Sequence, residues 1–275
     1  MTDWAGIAEA GYKVPAGHAP AEFVGELVEA LGSPDPVLRD EQACPVLGTW
    51  VLGGQLDAEL TGIGQRVTAL LADPRIQART FGALILAAVI RRDTKAGCLD
   101  AATVLAWRDR FADWWLAETD LRGWDEELGW LHAAAHGADV VGGLGQSPRL
   151  HAGDLAKLLQ LASSRLLAPT SQVFAHQEDD RIALAVATVL ARPELSADAA
   201  TRWLDPIREY FDAAVPGPVP APAANTMRTL RSLYVMADRG FRQNPRSADS
   251  FRLPHRAEVL EAVGDLLRMA FPHQL

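Results

Sequence analysis

Leu31-Gly32-Ser33-Pro34-Asp35-Pro36-Val37-Leu38-Arg39-Asp40-Glu41-Gln42-Ala43 is followed, forty residues on, by Leu71-Ala72-Asp73-Pro74-Arg75-Ile76-Gln77-Ala78-Arg79-Thr80-Phe81-Gly82-Ala83. Both stretches fit the frame Leu-x-x-Pro-x-x-x-x-Arg-x-x-x-Ala. Proline loses nothing at the first position of a helix, where its missing N–H has no partner, and its fixed φ suits the turn. Each copy therefore reads as a helix start with an arginine about one turn in. A period near forty with this opening is the pattern of stacked helix pairs. The expected fold is all-α: a curved array of antiparallel helix pairs, a HEAT-like superhelix with a concave face.

The remaining sequence agrees. Alanine and leucine fill the apolar positions and period-2 alternation is absent. The spacing predicts helices near 3–11, 20–31, 36–52, 57–72, 74–93, 100–118, 124–144, 151–166, 179–192, 197–212, 225–239 and 255–271, with Pro45 kinking or splitting the third. Residues 213–224 are rich in proline and read as a semi-rigid polyproline linker rather than a helix. The expected organisation is one array over 1–212, the linker, and a C-terminal helical pair over 225–275 packing on that array.

Composition narrows the function. The 275 residues are 49% hydrophobic and 22% charged, enough for a sizeable core, and the net charge is -9. An acidic chain gains no counterion-release energy on nucleic acid and offers no polybasic patch to a membrane, so neither is an expected partner. Cys44 and Cys98 are far apart and outside any C-x-x-C; they read as reduced core thiols. No charged-then-apolar leader opens the sequence and no apolar run reaches spanning length, so the expectation is a cytoplasmic protein. Nucleotide-binding glycine loops and the hydrolase Gly-x-Ser-x-Gly are also absent.

The chemistry-bearing block is Gly129-Trp130-Leu131-His132-Ala133-Ala134-Ala135-His136-Gly137-Ala138-Asp139. On a continuous helix Asp125, His132, His136, Asp139 and Gly143 share one stripe. Three readings stay open. The stripe is a buried polar network fixing helix register, or an acid–base or ligand site, or half of a divalent-metal site on His132 and His136. The metalloprotease version needs a glutamate where Ala133 stands. A metal would need completion by Asp125, Asp139, His176 or Glu178. His176, Asp180 and Arg181 form a second candidate cluster, on a loop before an apolar helix whose acids equally suit helix capping. Arg39, Asp40 and Arg79 form a third, read as an arginine–acid ladder between repeats or as a fork for an anion. Of the eight tryptophans, Trp107, Trp114, Trp115, Trp124 and Trp130 crowd the centre with Phe111, as core or as an aromatic wall.

The central block resembles the hallmark of a bacterial family, domain of unknown function 2785. Leu38 to Ala43, Arg79 to Ala87, Glu178 to Arg181, and Asn225 with Leu230 to Tyr234 are similar to its other blocks. Pro45, where an aromatic is usual, and the long proline-rich segment depart from it. The resemblance implies a helical-repeat fold and a bacterial cytosolic setting, and no activity. It implies that Arg39, Asp40, Arg79, His132, His136, Asp139, Asp180 and Arg231 belong to the family pattern. Two functions are expected to compete. One is a binding or scaffold protein taking a peptide, protein or small polar ligand on its concave face, with Trp130 beside the polar site. The other is an enzyme, with His132 or His136 as base, Asp139 or Asp125 as orienting acid, and Arg79 or Arg181 gripping an anionic substrate. A helical-repeat base-excision glycosylase shares the architecture, and the acidic balance argues against it.

Overall fold

The computed structural model describes residues 2–273. The chain is mostly helical and separates into two compact units, Met1–Arg149 and Leu150–Leu275. The first holds α1 (Trp4–Glu9), α2 (Val24–Ala30), α3 (Cys44–Gly53), α4 (Leu60–Leu70), α5 (Ile76–Ala96), α6 (Ala101–Ala117) and α7 (Ala133–Gln146). The second holds α8 (Ala152–Leu167), α9 (Glu178–Leu190), α10 (Ala197–Arg202), α11 (Asp205–Asp212), α12 (Ala221–Arg239) and α13 (Arg256–Ala270).

In the first unit α5 is the central helix. It packs on α3, α4 and α7, burying Phe81, Ile85, Leu86, Val89 and Ile90. Its partner α7 is alanine- and glycine-rich because the two backbones approach closely. A Cβ on Gly143 would stand 3.3 Å from the Ala87 carbonyl oxygen of α5, and α7 also makes room for α6, where a Cβ on Gly137 would overlap the Trp115 indole. In the second unit α12 packs on α8, α9 and α13 around Leu155, Ile182, Val186, Leu230, Leu233 and Val263. Asn225, buried in α12, accepts the Phe174 N–H at 2.8 Å and donates to the Gln172 carbonyl at 2.9 Å, which fixes the segment leading into α9.

Several expected elements take a different form. The predicted 36–52 helix divides before Pro45: Val37–Ala43 is a π-helical turn, and α3 then carries Pro45 in its first turn, where no N–H is needed. The 197–212 helix likewise breaks, with Pro206 opening α11. The proline-rich stretch stays non-helical only to Pro220; α12 starts at Ala221, with Pro222 tolerated in its first turn. The 124–144 helix loses its first third, as described below. Cys44 is buried, whereas Cys98, expected in the core, is exposed after the C-terminal stop at Gly97. Among the described residues no helix is long and apolar enough to cross a membrane.

Candidate functional site

Residues 124–132 form a hairpin instead of a helix. Trp124 pairs with Trp130 and Asp125 with Gly129, antiparallel. Asp125 nucleates the turn by accepting the N–H groups of Glu127 at 3.0 Å and Leu128 at 2.9 Å. Gly129 closes it at φ +71°, where a Cβ would also stand 2.8 Å from Pro36. His132 then adopts the left-handed conformation, φ 52° and ψ 37°, and its carbonyl accepts the His136 N–H at 2.8 Å. The stripe expected from helical spacing is therefore broken. Asp125 and Gly129 lie off the helix, and His132 only caps it. Asp125 is held by Arg122 and by the turn N–H groups it accepts.

Stacked rings run inward from the hairpin. Trp124 meets Trp130 edge to face at 4.8 Å between centroids. Trp130 lies parallel to His132 at 4.5 Å and 9°. His132 and His136 are 5.6 Å apart, and His136 meets Phe81 at 5.2 Å. The Arg39 guanidinium carbon stands 4.8 Å from the centroid of Phe81. Exposure falls along this series from 42% at Trp124 and 40% at Trp130 to 9% at His132 and 4% at His136. His136 Nδ1 lies 3.1 Å from the Thr80 carbonyl oxygen. A carbonyl only accepts, so the ring proton sits on Nδ1. Trp107, Trp114 and Trp115 belong to the core, so the aromatic cluster divides into a buried part and an exposed pair.

Arg39 secures the hairpin from below. Fully buried, it donates through Nη2 to the carbonyls of Leu128 and Trp130, through Nη1 to Ser33 at 2.8 Å, and through Nε to Asp40 at 2.6 Å. Asp40 in turn accepts the Trp130 N–H; burial raises its carboxyl above the usual carboxylate range, against the opposing pull of Arg39. The neighbouring Cys44 thiol is pushed up to about 12 by burial, so it stays protonated at neutral pH.

Arg79 repeats part of this arrangement. Its Nη1 donates at 2.9 Å to Asp73, the carbonyl six residues back, as Arg39 does to Ser33. Its Nε reaches Glu118 at 2.7 Å, and Glu118 also accepts the Trp114 indole N–H at 3.1 Å. Arg79 thus joins α5 to the end of α6 through an acid. Arg39 differs: its acid is its own neighbour, and what it joins is the hairpin. Asp139 meets Arg91 of α5, with Oδ1 3.8 Å from Nη2.

The other candidates lie in the second unit. Asp180 and Arg181 stand in the first turn of α9, not on a loop. Asp180 accepts from Ser232 of α12, and Arg231 is exposed on α12. Buried Glu178 accepts the His176 N–H at 2.8 Å, which ties down the residue before the cap; the cap residue itself, Gln177, makes no side-chain cap bond, so the expected capping by the acids is not what this bond does. Among the described residues no group of three or more His, Cys, Asp or Glu is placed to hold a metal ion. Two clefts, of about 740 and 610 Å³, lie by the N-terminal segment, lined by Asp3, His18 and Phe23 and by Glu26, Leu38 and Arg75 respectively. Sequence reasoning did not single out Glu118, and it placed Trp124 in the central aromatic cluster without foreseeing the hairpin that exposes it. The signal for Trp124 was present in the turn-forming Asp125 and Gly129 that flank Glu126-Glu127-Leu128.

A mostly helical protein whose central block turns its two histidines inward, beside a hairpin whose Trp124 and Trp130 stay partly exposed, is the class these observations define. The chain belongs to the family of proteins of unknown function DUF2785, whose model matches residues 69–235. That span includes the hairpin, α7 and α9, and leaves out the turn that carries Arg39 and Asp40. No curated protein and no solved structure matches the chain.

Proposed function

We propose that the chain is a binding protein whose first unit meets its partner through the Trp124–Trp130 hairpin. The observation that carries this reading is the direction of the central block. Its histidines are buried, His132 stacked on Trp130 and His136 bonded to the Thr80 carbonyl, while its two neighbouring tryptophans stay about two-fifths exposed. Tryptophan is among the side chains that dominate binding energies. A pair already locked in contact on a clamped hairpin costs little ordering when it meets a partner. The enzymatic reading, with His132 or His136 as base, has less support, because a general base must reach a proton on its substrate, and the two rings are 9% and 4% exposed, His136 with Nδ1 committed to Thr80.

The same reading takes the molecule as a HEAT-like helical-repeat scaffold of a bacterial cytoplasm, with a peptide, protein or small polar ligand as partner. The shared bond of Arg39 and Arg79, each to the carbonyl six residues back, supports the repeat. The test is affinity isolation with the full chain beside Trp124→Ala and Trp130→Ala, each first checked for folding by thermal melting. The expected result is a stoichiometric partner on the native chain and about tenfold less on either variant. Equal recovery on both folded variants overturns the reading.

A further inference from the structure

Resting on that reading, we propose that the partner segment is cationic: an arginine-bearing peptide stretch that lays a guanidinium on the Trp124–Trp130 pair beside the acidic hairpin turn. Charge around the two indoles is one-sided. From Glu118 to Trp130 the chain carries Glu118, Asp120, Asp125, Glu126 and Glu127 against a single cation, Arg122. Arg122 is already engaged by Asp120 and Asp125, and Glu118 by Arg79. Glu126 and Glu127, at the turn between the tryptophans, are exposed. The π-helical turn packed against Gly129 adds Asp40 and the exposed Glu41, while its own cation, Arg39, is buried on the hairpin carbonyls. An anionic partner meets repulsion here, and a neutral one gains nothing from the charge.

The aromatic pair selects among cations. Indole is the strongest of the aromatic faces for a cation. A guanidinium is planar and weakly hydrated, so it stacks on a ring while its N–H groups remain available to carboxylates. Glu126 and Glu127 lie within the same hairpin as both rings. A lysine ammonium finds the charge but not the stacking. The molecule already uses the pairing internally, where Arg39 lies over Phe81.

The test uses the full chain and a labelled peptide, Gly-Arg-Gly-Arg-Gly, with its lysine and glutamate analogues, followed by fluorescence anisotropy. The expected order is arginine over lysine by several-fold, with the glutamate analogue unbound. Trp124→Ala and the double variant E126Q/E127Q should each weaken the arginine peptide about tenfold. E258Q/E261Q removes the same charge from exposed positions of α13 and should change binding less than about twofold. Equal weakening by E258Q/E261Q reduces the effect to undirected charge and overturns the proposal, as does unchanged binding by Trp124→Ala. The two readings fail separately. If the isolated partner still depends on Trp130 but the arginine peptide binds no better than its glutamate analogue, the binding surface stands and its cationic partner falls. If the partner survives both tryptophan variants, the surface itself falls.

Discussion

Arg39 shows what a buried cation is for in this fold. A buried guanidinium carries a large desolvation cost, offset only when its donors are matched. Here they are, by three carbonyls, one carboxylate and the face of Phe81. Two of those carbonyls, Leu128 and Trp130, belong to a hairpin with little core of its own. Replacing Arg39 by methionine keeps the volume and leaves the carbonyls and Asp40 unmatched. The expected loss is about 2–4 kcal/mol of stability, read from denaturant unfolding, with increased acrylamide quenching of tryptophan as the hairpin loosens. Arg39→Lys should fall between, since one ammonium cannot span those acceptors. An unchanged midpoint for Arg39→Met would remove Arg39 as the clamp.

At the scale of elements, the packing of α6 on α7 depends on a missing side chain. The Trp115 indole lies along the first turn of α7, donating to the Ala133 carbonyl at 3.2 Å, in the space a Cβ of Gly137 would fill. Gly137→Ala should therefore destabilise by about 2 kcal/mol, opposite in sign to its helix propensity. Gly62→Ala, at an exposed position of α4 with open space around it, should stabilise by about 0.5–1 kcal/mol. Thermal melts of the two variants must move in opposite directions. The elements also show what a sequence can carry. Proline openings and alanine-rich runs made most helices legible, and Pro45 marked where the third divides. The hairpin was hidden because the helical pattern of 133–144 extends smoothly backward through His132. Histidine at a left-handed position gives no local signal, since glycine or asparagine is the usual occupant. Arg39 could be singled out by its repeat position, but not its role, because its partners lie about ninety positions away.

Across the whole molecule, the family match runs from residue 69 to residue 235, through parts of both compact units, while Arg39 and Asp40 stand before it. The candidate site was less legible than the fold for a physical reason. Spacing places side chains on a face, but only packing decides whether that face looks inward, and here it turned His132 and His136 in and left Trp124 and Trp130 partly out. The long reach of Arg39 also has a consequence in time. Its bond to Leu128 spans 89 positions of the chain, so the intervening loop must close before the clamp can form. Helical turns form from local contacts within microseconds, well ahead of such a closure. Refolding should therefore regain ellipticity first, with Trp124 and Trp130 the last indoles to settle. Stopped-flow refolding checks this: the late fluorescence phase should shrink in Trp130→Phe while the early circular-dichroism phase is untouched. On that expectation the surface proposed for recognition is also the last to mature, and a nascent or half-folded chain would not yet present it.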